Sequence, residues 1–160
     1  MEVFISYRRL DGNLQALLVQ KELEQRLVGD VIFMDVKDIG WGDDFAQAID
    51  ERMARADVVI VIVGKQWLQM LEARERGDDW VRHEVTTALR LRAASLSAGR
   101  KPTRPRVLPL LVDGAAQLNK ASLPEAFAAF DAADGDAAWY AGGTELLQVM
   151  KMGLARFGTL

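Results

Sequence analysis

The sequence of 160 residues contains no cysteine. A disulfide framework, an iron–sulfur cluster, a zinc site with thiolate ligands and a thiol nucleophile are therefore excluded. Histidine is almost as scarce, since His83 is its only occurrence. A histidine-rich metal site is excluded for that reason, and a Ser–His catalytic pair could use no other histidine.

The sequence also lacks a long hydrophobic run and a strong charge of one sign. The longest strongly apolar run, Val58–Val63, is far too short to span a bilayer. The first residues carry neither the basic segment nor the apolar stretch of a signal peptide, so we expect a cytoplasmic location without membrane contact. The net charge of −3 gives no general attraction to nucleic acid or to an anionic membrane.

Half of the residues are hydrophobic and 27% are charged, which is the balance of a soluble globular protein. A chain of this length fits one domain of ordinary size. Residues 1–160 are therefore predicted to form a single domain, either alone or as a fragment of a larger protein.

Short runs of apolar, mostly β-branched residues predict strands. They are Val3–Ile5, Val31–Met34, Val58–Val63 and Arg106–Val112, with a fifth candidate near Phe127–Asp131. Continuous runs of this kind are typical of strands buried on both faces of a parallel sheet. Pro109 lacks a backbone N–H, which predicts an edge position or a bulge in the fourth strand.

Amphipathic segments between these runs predict helices. Their apolar residues at helical spacing are Ala16, Val19, Leu23 and Leu27; Phe45, Ala48, Ile49, Met53 and Ala56; and Val81, Val85, Ala88 and Leu89. Candidate N-caps precede the second helix at Asp43 and Asp44, the third apolar face follows Asp78-Asp79, and a last helix is predicted over 144–156. The alternating order predicts an α/β fold, a flavodoxin-like doubly wound parallel sheet of about five strands with helices on both faces.

Ligands of such sheets bind beyond the carboxyl ends of the strands. This rule selects the loops after the first three strands and the start of the helix at Trp80. Among the residues selected are Ser6, Tyr7, Arg8, Arg9, Asp35, Trp41 and Trp80. Arginine suits phosphate oxygens and an aromatic ring can stack on a base or on nicotinamide, although from the residues alone solvated loop charges explain both arginines slightly better.

Trp80 and Glu84 lie four residues apart and so share one helix face, which borders the apolar stripe. This spacing predicts a partly desolvated Glu84 at a cleft edge with Trp80 beside it, and the alternative is an ordinary surface glutamate. His83 points elsewhere on the helix and receives no role.

Common phosphate-binding motifs are absent from the sequence, since neither a G-x-x-x-x-G-K-[ST] nor a G-x-G-x-x-G pattern occurs. A receiver domain would need an acidic pair after the first strand and an aspartate at the end of the third. The first strand leads instead into Ser6–Arg9, and the third ends in Val63-Gly64-Lys65, so this interpretation is rejected.

Five segments, taken in order, resemble the motifs of TIR (Toll/interleukin-1 receptor) domains. They are Phe4–Arg9 with Asp11-Gly12; Val31–Asp35 with Asp38–Phe45; Ala56–Gly64 with Trp67-Leu68; Asp79–Val85; and Val107–Gly114. Each segment alone is a modest signal, and their order over Val3 to about Phe130 makes the resemblance specific.

The resemblance implies an activity as well as a fold. In the NAD-cleaving branch of the family, which includes bacterial defence proteins, the glutamate of a Trp-x-x-x-Glu pattern is catalytic, and Trp80 with Glu84 matches that pattern. The residues that match the nucleotide site of this branch are Arg8, Arg9, Asp35 and, after a one-residue shift in the loop, Phe45. The implied reaction converts NAD⁺ to nicotinamide and ADP-ribose or its cyclised form, with NAD⁺ as substrate and with no metal or further cofactor.

Such a reaction needs few catalytic groups. The nicotinamide of NAD⁺ is cationic and departs as a neutral molecule, so no general acid is required. The ribose develops oxocarbenium character, which one nearby carboxylate can stabilise, as in glycoside hydrolysis. The resemblance assigns this role to Glu84.

Other functions remain open at this stage. Many TIR domains are non-catalytic signalling adaptors, and the fold alone does not separate them from the enzymes. Self-association through the loop Asp38–Phe45 is expected, with Trp41 as interface anchor, substrate-stacking group or packed residue of its own domain. A sensor domain or partner protein is a further expectation, whereas nucleic-acid binding by the basic residues of 100–106 is the weakest.

Overall fold

The chain forms alternating strands and helices over the residues that the structure, a computed structural model, describes: 1–34, 44–73, 79–100, 103–115 and 127, with only the backbone of 44–46. The elements are β1 (Glu2–Ser6), α1 (Asn13–Arg26), β2 (Val31–Met34), α2 (Asp44–Arg55), β3 (Val58–Val63), α3 (Trp67–Ala73), α4 (Trp80–Ser97) and β4 (Arg106–Leu111). Among the described helices, none combines the length and the hydropathy that spanning a bilayer requires.

The strands form one parallel sheet in the order β2-β1-β3-β4. Each parallel neighbour is reached through a helical crossover, because parallel strands cannot be joined by a tight turn. Among the described strands β4 is the outermost, and Pro109 pairs in register with Val61. The edge position or bulge predicted for the fourth strand stays a prediction, because most residues of the fifth candidate strand lie outside the described ranges. Four strands are described rather than about five, and of the fifth candidate only Phe127 is described.

Helix α1 covers one face of the sheet. Its buried side chains are Ala16, Val19 and Leu23, which pack with β-strand residues such as Ile5 and Ile62. The predicted apolar stripe is confirmed at these three positions, while Leu27 directly follows the helix and is partly buried.

Helices α2, α3 and α4 cover the opposite face. The core there includes Met53 of α2, Trp67 and Leu71 of α3, and Val85 of α4. The fully buried Phe127 meets Trp67 edge-on, with ring centroids 5.9 Å apart and an interplanar angle of 88°. Helices therefore lie on both faces, and the predicted doubly wound arrangement is confirmed.

Backbone packing is tight where β1 leads into α1. Gly12 has a φ of 124°, a conformation that side chains other than hydrogen rarely allow. A Cβ at this position would also lie 2.8 Å from Cγ2 of Ile62 on β3. The turn therefore requires glycine both for its conformation and for its close approach to the neighbouring strand.

Side chains of a strand alternate between the two faces of its sheet. Phe4 packs on the α4 side, whereas Val3, Ile5 and Tyr7 pack on the α1 side. Ser6 bonds to a residue of α4, as the alternation requires. The end of β1 thus presents its polar side chain to the amino-terminal part of α4.

Candidate active site at the carboxyl end of the sheet

A buried glutamate contacts the last residue of the central strand β1. Glu84 is 7% exposed, and its Oε2 accepts a hydrogen bond of 2.6 Å from the Ser6 hydroxyl, which is itself buried. Ionisable carboxyls are rarely buried unless they are paired or functional. The prediction of a desolvated Glu84 at the carboxyl end of the sheet is confirmed, and its burial exceeds the partial desolvation expected from the sequence.

A second buried contact joins the same two segments two residues further along the chain. Arg8 donates from Nη1 to Oδ1 of Asp79 over 2.9 Å and from Nη2 to Oδ2 over 2.6 Å. The side chains of Arg8 and Asp79 are only 4% and 0% exposed. Asp79 is also the N-cap of α4, because its Oδ1 accepts the backbone N–H of Arg82 at 3.3 Å.

The two arginines after β1 have different environments. Arg8 is not a solvated loop charge, since it is buried against Asp79 and its guanidinium carbon lies 5.8 Å from the ring centroid of Trp67. Arg9 is exposed and lies in the turn closed by the bond of 3.0 Å from the Asp11 N–H to the Arg8 carbonyl. The predicted role of both arginines near dinucleotide phosphates stays a prediction, although the two are not placed alike.

Trp80 is the first residue of α4 and is 43% exposed. Its ring meets the His83 ring edge-on, with centroids 6.0 Å apart. His83 in turn lies 2.9 Å from Asp50 of α2, so the start of α4 is linked to α2 at the surface. Trp80 thus stands on the helix of Glu84 with a large part of its indole at the surface, where it can meet a ligand.

The remaining predicted site residues are placed away from Glu84 or are not described. Tyr7 is 6% exposed and packs in the core on the α1 side of the sheet, opposite to Glu84. Asp35 and Trp41 lie outside the residues that the structure describes, as does the side chain of Phe45, whose backbone belongs to α2. Their substrate-binding roles stay predictions.

One polar contact at the carboxyl end of the sheet was not predicted from the sequence. The carboxylate of Asp11 accepts the backbone N–H of Gln66 at 3.0 Å, just before α3 begins, and lies against Gly64. Burial raises the pKa of Asp11 above its usual value, and the negative charge of Asp113 adds to this, while the Gln66 N–H and the charge of Arg8 act in the opposite direction. Only the Asp-Gly pair in a loop could have signalled a turn here.

The arrangement offers one buried carboxylate with a hydroxyl beside it, at the end of a central strand. A carboxylate in such a low-dielectric position stabilises a nearby positive charge more strongly than it would in water. Within the described ranges no three acidic or histidine side chains are grouped so that they could hold a metal ion. The buried carboxylate of Glu84 is suited to electrostatic stabilisation of a cationic centre.

Comparison with known protein families matches residues 3–147 to the TIR domain. Comparison with curated proteins finds no match. Apart from Glu2, the first residue of β1, the matched range includes every described element from β1 to β4 and both contacts between β1 and α4. Sheet order, the polar end of β1 and this match agree, and the chain belongs to the TIR domain family.

Proposed function

We propose that this TIR domain cleaves the N-glycosidic bond of NAD⁺, with Glu84 as the catalytic carboxylate. The observation that supports this function is the burial of Glu84 at the carboxyl end of the sheet, where its carboxylate accepts the Ser6 hydroxyl hydrogen bond. Ligands of doubly wound sheets bind at this end. A buried carboxylate there is suited to an oxocarbenium-like ribose.

In the proposed reaction the bond between C1 of the ribose and the nicotinamide nitrogen breaks, and its electron pair leaves with neutral nicotinamide. The positive charge that develops on the ribose is stabilised by Glu84. Capture by water gives ADP-ribose and releases one proton, whereas capture by a nucleophile of the same molecule gives a cyclic product. Trp80 at the start of α4 supplies an aromatic surface for the departing ring.

Incubation of the purified protein with NAD⁺, with chromatographic separation of the products, tests the proposal. Release of nicotinamide by the wild type and its loss in Glu84→Gln are expected, because glutamine keeps the shape and helix propensity but removes the negative charge. Glu72→Gln, an exposed change on α3, is the matched control and should retain activity. Full turnover by Glu84→Gln would refute the assignment.

Self-association is part of the proposed function. TIR domains commonly self-associate, and a rim of loops on one small domain buries little of a dinucleotide, whereas ligand sites usually bury most of their ligand. Specific activity should therefore rise with protein concentration and with a crowding agent. If Trp41 anchors the contact, Trp41→Ala blunts this rise, while constant activity down to monomeric concentrations would contradict assembly. A wild type that releases no nicotinamide under any of these conditions would refute NAD⁺ cleavage and favour the alternative of a non-catalytic adaptor.

A further inference from the structure

We propose that Arg8 is a positioning residue, which holds the start of α4 and thereby sets Glu84 against Ser6. Arg9, which is exposed, is then the arginine of this pair that meets the substrate. The inference rests on the proposed role of Glu84 in cleaving NAD⁺, and it assigns to Arg8 a role other than phosphate binding.

Two buried contacts connect the end of β1 to α4. Ser6 bonds to Glu84, and two residues later Arg8 bonds to Asp79, five residues before Glu84 on the same helix. Packing of Val85 in the core holds the body of α4 against the sheet, and the two polar contacts act on its start. Two contacts at separate points fix both the distance and the rotation of the helix relative to the strand, so the carboxylate of Glu84 has one defined place.

The geometry of the Arg8 contact suits it to this task. A guanidinium that forms two parallel bonds to a carboxylate fixes the relative plane of the two groups, which a single-point ammonium cannot do. The Asp79 carboxylate held in this way also caps α4 through the N–H of Arg82. Arg8 therefore orients the group that begins the helix on which Glu84 stands.

Burial separates this role from direct substrate binding. Arg8 would have to leave Asp79 to reach a phosphate in solvent, and both side chains are almost fully buried. Opening such a pair leaves an uncompensated buried charge, which is strongly unfavourable. Loss of Arg8 should therefore act on the chemical step, whereas loss of an exposed substrate contact should act on binding.

The same conservative change at the buried Arg8 and at an exposed arginine outside the site provides the first test. Arg8→Lys keeps the charge but loses the two-bond geometry, and kcat for nicotinamide release should fall about tenfold to a hundredfold while KM changes less than about twofold. Arg90→Lys, an exposed change on α4, is the matched control for loss of a guanidinium and should leave kcat within about twofold. An increase of KM in Arg8→Lys with unchanged kcat would overturn the proposal.

A double variant separates positioning from general stability. In Arg8→Met/Asp79→Asn both buried charges are removed together, which is often neutral for stability, and asparagine remains a good N-cap. If Arg8 is a positioning residue, the thermal midpoint of the double variant should lie closer to the wild-type value than that of Arg8→Met alone. Its kcat should still be at least about tenfold below that of the wild type. Recovery of kcat along with the midpoint would show that the pair serves stability alone.

Hydrogen–deuterium exchange of the full chain supplies a measurement that does not depend on NAD⁺ cleavage. The amides of Arg82 and His83, which bond to Asp79, should lose protection in Arg8→Lys and keep it in Arg90→Lys. Unchanged protection in Arg8→Lys would overturn positioning. A wild type without nicotinamide release would refute the proposed function, and exchange would still decide whether Arg8 holds α4.

Discussion

The end of β1 and the loop that follows it make polar contacts with two parts of the molecule, and these two contacts have different environments. The α4 contact consists of the bonds from Ser6 to Glu84 and from Arg8 to Asp79, all four residues being buried. The β3 contact consists of the bond from the Gln66 N–H to Asp11, with Gly64 packed against the carboxylate, and it lies nearer to solvent.

This difference separates contacts that define a geometry from contacts that respond to solution conditions. In a low-dielectric interior a polar interaction is stronger, and an unpaired partner is more costly, than at the surface. The α4 contact therefore holds Glu84 in place, whereas the β3 contact can open, titrate or be screened by salt at lower cost.

The largest expected effect comes from removing the acidic partner of the α4 contact. Asp79→Ala leaves Arg8 as an uncompensated buried charge and removes the N-cap of α4. The free energy of unfolding, measured by urea denaturation, should fall by about 3–5 kcal/mol. Asp50→Ala removes the half-exposed pair between Asp50 of α2 and His83 of α4. This change should cost less than about 1 kcal/mol. Equal costs would erase the distinction between buried and exposed contacts.

A smaller effect is expected from the hydroxyl of the α4 contact. Ser6→Ala removes the hydrogen bond to Glu84, and bonds to charged groups contribute about 1.5–3 kcal/mol. Unfolding in urea should show a loss of this size, together with reduced nicotinamide release because the carboxylate is less well held. Ser97→Ala at the exposed end of α4 is the control and should change neither quantity. An unaltered stability in Ser6→Ala would show that Glu84 is held by other groups.

A smaller loss of stability is expected when the β3 contact is disturbed. A Cβ in Gly64→Ala would overlap the carboxylate of Asp11, which must turn away and release the Gln66 N–H. One hydrogen bond of this kind is worth about 1 kcal/mol, which is the expected loss of stability. Combined with Asp11→Ala, the glycine change should cost less than it does alone, since the obstructing carboxylate is gone. Strict additivity would show that the overlap is relieved elsewhere.

The smallest effect concerns the pH dependence of the β3 contact. Because burial raises the pKa of Asp11, the folded state binds its proton more tightly than the unfolded state does. The stabilisation from Asp11 is therefore present below the unfolded value of 3.8 and is lost as the pH rises through the raised pKa. Asparagine does not titrate, so the stability of Asp11→Asn relative to the wild type should rise across this window and stay level above it.

Urea denaturation of both proteins at closely spaced values from about pH 3 to about pH 7 measures this difference. Glu72→Gln, on the exposed surface of α3, is the control for a generic change of charge. A relative stability of Asp11→Asn that falls with rising pH would mean that the folded state favours the ionised carboxylate.

Local sequence patterns predicted most of the described fold. The β-branched run of β3 and the apolar positions of α4 each show a pattern that is complete within a few residues, so both elements were predicted. Helix α3 was not predicted, because seven residues give too short a repeat and its first turn holds no acidic residue. The backbone N–H of Gln66, just before this helix, donates to the carboxylate of Asp11, which lies 55 residues away in the sequence.

The candidate site was predictable only in part. The spacing of Trp80 and Glu84, with the rule that ligands meet the carboxyl ends of strands, placed Glu84 at this edge of the sheet. The sequence predicted neither the hydrogen bond from Ser6 nor the extent of burial of Glu84, because Ser6 is 78 residues away along the chain. Trp41 and Asp35 remain sequence predictions, because they lie outside the described residues.

The sequence by itself determined the class of fold and the side chains that can supply chemistry, because helix and strand periodicity act over a few residues and residue types fix the available groups. Only the tertiary structure decided which of two adjacent arginines is buried. Arg8 and Arg9 have the same chemistry and nearly the same position in the chain. Their difference arises because the side chain of Arg8 meets Asp79, which folding brings from 71 residues away, whereas Arg9 lies in the turn closed by the bond from the Asp11 N–H to the Arg8 carbonyl. A charge loses its hydration only where a partner can replace the lost water, and that partner is supplied by packing.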